Sequence, residues 1–165
     1  MATPIIDNIA TTLVSRLENI TTANSYAFDA TVEESNRDAD SWAPSVGKII
    51  VQQEDREKNE ELSCPGNPAK VAYDVMFVVH GFYEELDVDV SEPGIIDENI
   101  RRNVMSGAIE QAIANNDSAW HTFGGNAVLA DFMGDTRVEV AGYRGVSVNL
   151  RVQYRVSELD PGALA

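Results

Sequence analysis

The stretch GVSVNLRVQYRV, residues 145–156, decides the fold because it carries the most regular pattern in the chain. Apolar side chains occupy every second position, and small or polar side chains occupy the positions between them. A period of two is typical of a β-strand with one buried face and one polar face. Twelve residues at about 3.3 Å each span about 40 Å, which is comparable to the diameter of a compact domain of this size. The apolar set is Val146, Val148, Leu150, Val152, Tyr154 and Val156.

Five other stretches predict further strands, because they alternate or are rich in β-branched and aromatic residues. They are residues 25–32, 45–53, 70–85, 126–132 and 136–142. In the stretch 70–85, KVAYDVMFVVHGFYEE, apolar residues fall on both faces, so we expect its middle to be covered on both sides.

Two segments predict amphipathic helices. The first is expected to be capped by Thr3, with Pro4 in its first turn, and isoleucines and leucines recur every four residues from Ile5 to Leu17. The second covers residues 97–114, with an apolar stripe that includes Val104 and Ala108. The expected fold is therefore a single α+β domain over residues 1–165, a mainly antiparallel twisted sheet with both helices packed on one face.

A charged segment, EDREKNEELSCPGN at residues 54–67, has no sustained period. It predicts either a long exposed charged loop or the tip of an extended hairpin. Loops of this length without structure of their own are usually functional or disordered.

Composition restricts the function. Asp and Glu outnumber Lys and Arg by 27 to 12, so the net charge is −15, and a protein that grips a nucleic acid backbone is not expected. No apolar run is long enough to span a membrane, and the first residues lack the basic region of a secretory signal. The single cysteine, Cys64, excludes an internal disulfide and a cysteine-rich metal site.

The sequence predicts no catalytic, cofactor or metal site. His121 lies in SAWHTFGGNAVLADF, residues 118–132, where the pattern favours a turn between packed elements over chemistry. His80 and His121 are too few for a zinc site, and the acids near Asp87 and Asp89 lack the spacing of a calcium loop. Phosphate-binding glycine motifs and the Gly-x-Ser-x-Gly elbow are absent.

The order of these elements resembles the tail terminator, or tail-completion, proteins of long-tailed bacteriophages. The matching features are Gly124-Gly125 after the second helix, the strand at 146–156, and Asp160-Pro161 after it. The resemblance implies a non-enzymatic α/β subunit that forms a ring, typically a hexamer, on the end of the tail tube. The ring would stop tube polymerisation and offer the surface that joins the head.

This resemblance implies a set of partners and a location. The partners would be further copies of the chain, the tail tube protein and the head–tail connector or stopper protein, while DNA passes through without specific binding. The protein would reside in the virion tail or neck after assembly in the host cytoplasm, with no membrane contact.

Loop length and charge suggest where such contacts would lie. Asp87 and Asp89 are candidate lumen acids that keep DNA mobile, and Arg101 and Arg102 are expected to form salt bridges within the subunit or to a neighbour. The candidate interface residues are Glu54, Arg56, Glu57, Lys58, Glu60, Glu61, Arg101 and Arg102.

Three alternatives stay open at the level of sequence. A head-completion or head–tail adaptor protein belongs to the same class. A small-ligand-binding or hydrolytic α+β domain would use His121 and nearby acids. An acidic inhibitor that mimics DNA would bind a basic host protein.

Overall fold

The computed structural model describes residues 3–36, 38–66, 69–86, 95–115, 117–157 and 160–164. Within these ranges the chain forms two α-helices, seven β-strands and three short 3-10 helices, the last of them at Trp120–Gly125. In chain order the helices and strands are α1 (Ile5–Leu17), β1 (Thr31–Glu34), β2 (Lys48–Gln53), β3 (Glu57–Cys64), β4 (Lys70–Phe82), α2 (Ile95–Ala114), β5 (Leu129–Val140), β6 (Tyr143–Ser157) and β7 (Asp160–Leu164).

All seven strands belong to one sheet, whose centre is the antiparallel pair β4 and β6. Their register runs from Lys70 opposite Ser157 at one end to Phe82 opposite Gly145 at the other. β2 and β3 both pair with the side of β4 that faces away from β6. β5 and β7 pair with the side of β6 that faces away from β4. The pair β1 and β2 is parallel, and the other described pairs are antiparallel. The predicted α+β class and mainly antiparallel sheet are confirmed.

The alternating face of β6 forms the floor of the core, as its sequence predicts. Its six apolar side chains, from Val146 to Val156, are at most 5% exposed. Ile9 and Leu13 of α1 and Met105 and Ile109 of α2 belong to the same buried cluster. Both helices therefore pack on one face of the sheet, and a slip of one residue in β6 would turn its apolar set to the opposite face.

The opposite face, called here the open face, is covered at one end by Trp42. This side chain comes from the segment between β1 and β2 and forms a small cluster with Ile50 and Phe82. Met76 and Val78, in the middle of β4, are only partly buried on this face. The expectation that the middle of this strand is covered on both sides is met only in part, because the crossing segment brings its large apolar side chain to the end of β4.

The predicted strand at 25–32 is displaced, and β1 begins only at Thr31. The backbone N–H of Tyr26 donates to Thr21 O, and that of Ala30 donates to Ile20 O, so this segment bonds back to the end of α1. The Asp29 carboxylate also accepts a hydrogen bond from the Thr22 N–H at 2.6 Å. Local hydrogen bonds replace the ladder that the alternation predicted.

Two further expectations differ from the structure, and one strand was not predicted. Helix α1 begins at Ile5 with Pro4 in the cap position and no side-chain cap, so the Thr3 cap is wrong. The two strands predicted at 126–132 and 136–142 are one strand, β5, with a register shift between Phe132 and Asp135 that absorbs the positive φ of Gly134. The pattern does not predict strand β7, because its sequence DPGAL contains the residues that mark turns.

Gly81 of β4 sets how closely α2 approaches the sheet. A Cβ at this position would lie 2.6 Å from Met105 Cγ and Sδ and 2.9 Å from Ile109 Cδ1. We therefore expect Gly81→Ala to lower the free energy of unfolding by about 1–3 kcal/mol through overpacking. The matched control is Gly107→Ala on α2, where a Cβ meets nothing within 4 Å and alanine should raise stability by up to about 1 kcal/mol. Urea denaturation measures both, and equal losses would contradict the close approach.

Candidate functional site

The charged segment at residues 54–67 forms a strand along most of its length. Glu57, Lys58 and Asn59 of β3 pair with Asp74, Tyr73 and Ala72 of β4. Before β3 begins, the Glu54 N–H donates to Met76 O at 2.9 Å, so pairing with β4 continues between β2 and β3. The segment is therefore neither the long charged loop nor the hairpin tip that the sequence predicted. Most of it is the first arm of the β3–β4 hairpin, because main-chain hydrogen bonds order a segment whose side chains bury little.

The six interface candidates on this segment are all exposed. Lys58 Nζ and Glu60 Oε1 form an ion pair at 2.8 Å. The Arg56 guanidinium lies 4.5 Å over the Tyr73 ring, and its Nη1 donates to the Tyr154 hydroxyl oxygen at 3.5 Å. Arg56 therefore fixes the start of β3 on the sheet, while the carboxylates of β3 face solvent.

An acidic cleft of about 240 Å³ lies where β3 begins. Glu54, Glu57 and Asp74 line it together with Arg151. The Asp74 carboxylate accepts hydrogen bonds from Asn59 Nδ2 at 3.1 and 3.2 Å. Across the described ranges no group of three or more potential ligands is arranged to hold a metal ion.

Arg101 and Arg102 lie on α2, away from β3. Arg102 Nη2 contacts Asp135 Oδ1 of β5 at 2.6 Å, which confirms a salt bridge within the subunit. Arg101 lines a small notch that also contains Glu98 and Arg144. The structure therefore places the two arginines over the β5 side of the sheet and the acids of residues 54–61 on the β4 side. Asp87 and Asp89 lie outside the described residues.

Charged contacts join the start of α2 to β5 and β6. Arg144 Nη1 donates to Glu98 Oε2 at 3.0 Å, and its Nε lies 3.5 Å from Glu84. The Tyr83 hydroxyl donates to Glu98 Oε1 at 3.3 Å, and burial together with this carboxylate raises the pKa of Tyr83. These contacts join Glu98 of α2 to Tyr83 and to the start of β6.

His121 lies in a packed turn. It is half-buried in the 3-10 helix Trp120–Gly125, and its ring meets the Trp120 ring edge-on at 6.2 Å. The next aromatic, Phe123, is fully buried with φ 47°, and the Arg16 guanidinium lies 4.8 Å over its ring. The stretch 118–132 thus contains a turn between packed elements, as its residues predict, and the contact of its Phe123 with Arg16 of α1 was not predicted.

His80 forms a buried polar cluster that sequence reasoning missed. Its Nδ1 lies 2.6 Å from Ser147 Oγ, and its Nε2 lies 3.4 Å from Gln52 Oε1. With the amide oxygen of Gln52 facing Nε2, a proton on Nε2 and a Ser147 hydroxyl that donates to Nδ1 satisfy both contacts. Burial lowers the pKa of His80 to about 4, which keeps the ring neutral.

The His80–Ser147 pair is closed to substrates. A serine beside a histidine is one part of a nucleophilic site, but such a site also needs access. Ser147 is 4% exposed, and the Trp42 ring lies 4.6 Å from the imidazole. The cluster joins β2, β4 and β6 across the open face and acts as a structural clamp.

In the part of the chain that the structure describes, no helix is both long and apolar enough to cross a bilayer.

Comparison with known proteins assigns the chain to no family. No protein-family model matches the chain, and no curated protein does.

Proposed function

We propose that this protein is a structural subunit that forms a ring on the tail tube of a long-tailed bacteriophage, ends tube polymerisation and provides the surface for head joining. The observation that carries the proposal is the sheet. Among the described residues, no strand pairs with the outer edge of β3 or of β5, and these edges lie on opposite sides of the sheet. A subunit with two different open edges can make a head-to-tail contact, and such contacts give a ring when the rotation closes.

The geometry favours assembly over catalysis. The Ser147–His80 pair lies beneath Trp42, and His121 packs against Trp120. The exposed charged groups instead follow β3, an edge strand, where they are available to another protein chain. In this proposal the protein is a subunit of an assembly, not an enzyme, and its role requires no cofactor.

The charge of the chain suits a ring around DNA. A net charge of −15 repels a polyanion, so DNA would pass through the ring without being held. Asp87 and Asp89 stay predicted lumen residues. The proposed partners are further copies of the chain in a hexameric ring, the tail tube protein and the head–tail connector, all within the virion tail or neck.

Electron microscopy of the protein mixed with purified tail tubes tests the proposal. We expect rings at one end of each tube and no further elongation when tube protein is added. A variant with Glu57, Glu60 and Glu61 changed to lysine should cap fewer tubes, because these exposed acids lie on the edge strand β3.

The matched control changes the same number of charges elsewhere. Asp7, Glu18 and Glu110 are exposed acids on or beside the helices, and their replacement by lysine should leave capping unchanged. Tubes without rings would refute the proposal. Binding to isolated heads but not to tubes would favour the adaptor alternative.

A further inference from the structure

We infer that copies of this chain join by extending the sheet, so that β3 of one copy pairs with β5 of the next. The inference rests on the proposed ring function and names the surfaces that would meet. It concerns the contact between copies and not the contact with the tube.

Both edges have the backbone geometry that strand addition needs. Beyond its bulge, β5 is regular from Asp135 to Val140, and its residues there are exposed or half-buried. The first part of β3, Glu57–Asn59, is also in regular register with β4. Since β3 lies on the β4 side and β5 on the β6 side, one copy cannot join its own two edges. A neighbouring copy can supply main-chain partners to both edges.

On β5, charges alternate along the face that carries the helices. Arg102 of α2 contacts Asp135, and Arg137 Nη2 donates to Asn99 Oδ1 of α2, which places both β5 side chains on the helix side. Glu139 follows two residues later, and it pairs in register with Arg144, whose side chain also reaches α2. The sequence of signs along this edge is negative, positive, negative.

β3 carries the opposite order on the same face. Lys58 pairs with Tyr73, and Tyr73 pairs with the fully buried Tyr154 of the core face, so Lys58 lies on the helix side. Its ion pair with Glu60 keeps that carboxylate beside it. The charges along β3 are therefore positive at Lys58 and negative at Glu60.

These two patterns are complementary in either strand direction. Lys58, which lies in the regular part of β3, meets Asp135 in one strand direction and Glu139 in the other. In both cases the Glu60 carboxylate, which is ion-paired with Lys58, comes close to Arg137. Opposite charges across a strand pair stabilise it, and like charges destabilise it. Lys58, Glu60 and Arg137 are exposed and Glu98 is half-buried, so the contacts Lys58–Glu60 and Arg137–Glu98 lie at the surface and can be exchanged at little cost.

A charge exchange between Arg137 and Glu60 tests the contact. Sedimentation velocity of the purified full chain over a range of concentrations should show self-association. We expect Arg137→Glu and Glu60→Arg each to weaken it about tenfold, because each places like charges opposite one another. The chain with both changes should associate like the wild type.

Mixing the two single variants gives a sharper readout. In an equimolar mixture, copies of the two variants can alternate. One kind of contact then joins a β5 with glutamate at position 137 to a β3 with arginine at position 60, and the other keeps the original Arg137 and Glu60. Alternating assemblies should therefore form. The control Glu110→Arg changes an exposed acid on α2 and should have no effect. Circular dichroism of each variant checks that the subunit remains folded.

The outcomes separate the two proposals. A chain that stays monomeric at every concentration, alone and with tubes, overturns the inference. Single variants that associate normally also overturn it, and so does a mixture that does not regain self-association. Assemblies that recover in the mixture but never cap tubes would refute the tail function and leave the strand contact standing. Normal capping by Arg137→Glu would refute the strand contact alone.

Discussion

Replacing Arg16 with alanine is expected to lower the free energy of unfolding by about 3 kcal/mol, since a buried charged donor and its two acceptors lose their bonds together. Arg16 is 9% exposed on α1, and its Nη1 donates to Ile113 O at 2.8 Å and to Trp120 O at 3.1 Å. Ile113 lies in the last turn of α2, whose carbonyl groups have no partner within the helix. One guanidinium therefore joins α1, α2 and the turn that follows α2.

Chemical denaturation with urea measures the effect. Glu18→Ala is the control, because Glu18 is exposed at the end of α1, and it should change stability little. Arg16→Lys keeps the charge but lacks the planar guanidinium. Its loss of stability should therefore be smaller than that of Arg16→Ala and larger than that of Glu18→Ala. Equal stabilities of Arg16→Ala and Glu18→Ala would show that the hydrogen bonds of Arg16 contribute nothing to stability.

Between pH 7 and pH 4, the wild type is expected to lose about 3 kcal/mol more stability than the His80→Gln variant. In the folded protein the pKa of His80 is about 4, below its ordinary value of 6.5, because the ring is buried. As the pH falls from 6.5 towards 4, His80 becomes protonated in the unfolded chain, while the buried ring of the folded chain stays mostly neutral. Stability is therefore lost through this window, and the loss is complete below pH 4.

Urea denaturation at a series of pH values tests this prediction. The other ionisable groups are common to both proteins, so their contributions cancel in the difference between the two stability curves. The glutamine side chain that replaces the imidazole has no proton to gain in this range. Parallel curves for the two proteins would contradict a buried neutral imidazole.

Elements with a large buried face were predictable from the sequence. The alternation of Val146 to Val156 gives both the strand and its core face, because burial on one side of a pleated strand requires a period of two. The stripe of α1 likewise identifies the side chains that contact the sheet, such as Ile9 and Leu13. In both elements, the burial pattern follows from spacing along the chain.

Elements held by backbone pairing were not predictable in the same way. β3 buries little, so its sequence of charges carries no period, and only pairing with β4 defines it. The cluster of Gln52, His80 and Ser147 depends on the register of three strands, which spacing within any one strand does not fix. The candidate site follows the same division: the charged segment was found, but its strand conformation and its position on the sheet were not.

The central pair of strands also sets the order in which the chain can fold. β4 and β6 are neighbours in the sheet, but α2 and β5 lie between them along the chain. Long-range pairing of this kind is slow, and an unpaired strand is open to aggregation until its partner arrives. On the ribosome, β4 can complete its ladder only after residues 143–157 have emerged, so a chain truncated before Tyr143 would lack the middle of its sheet.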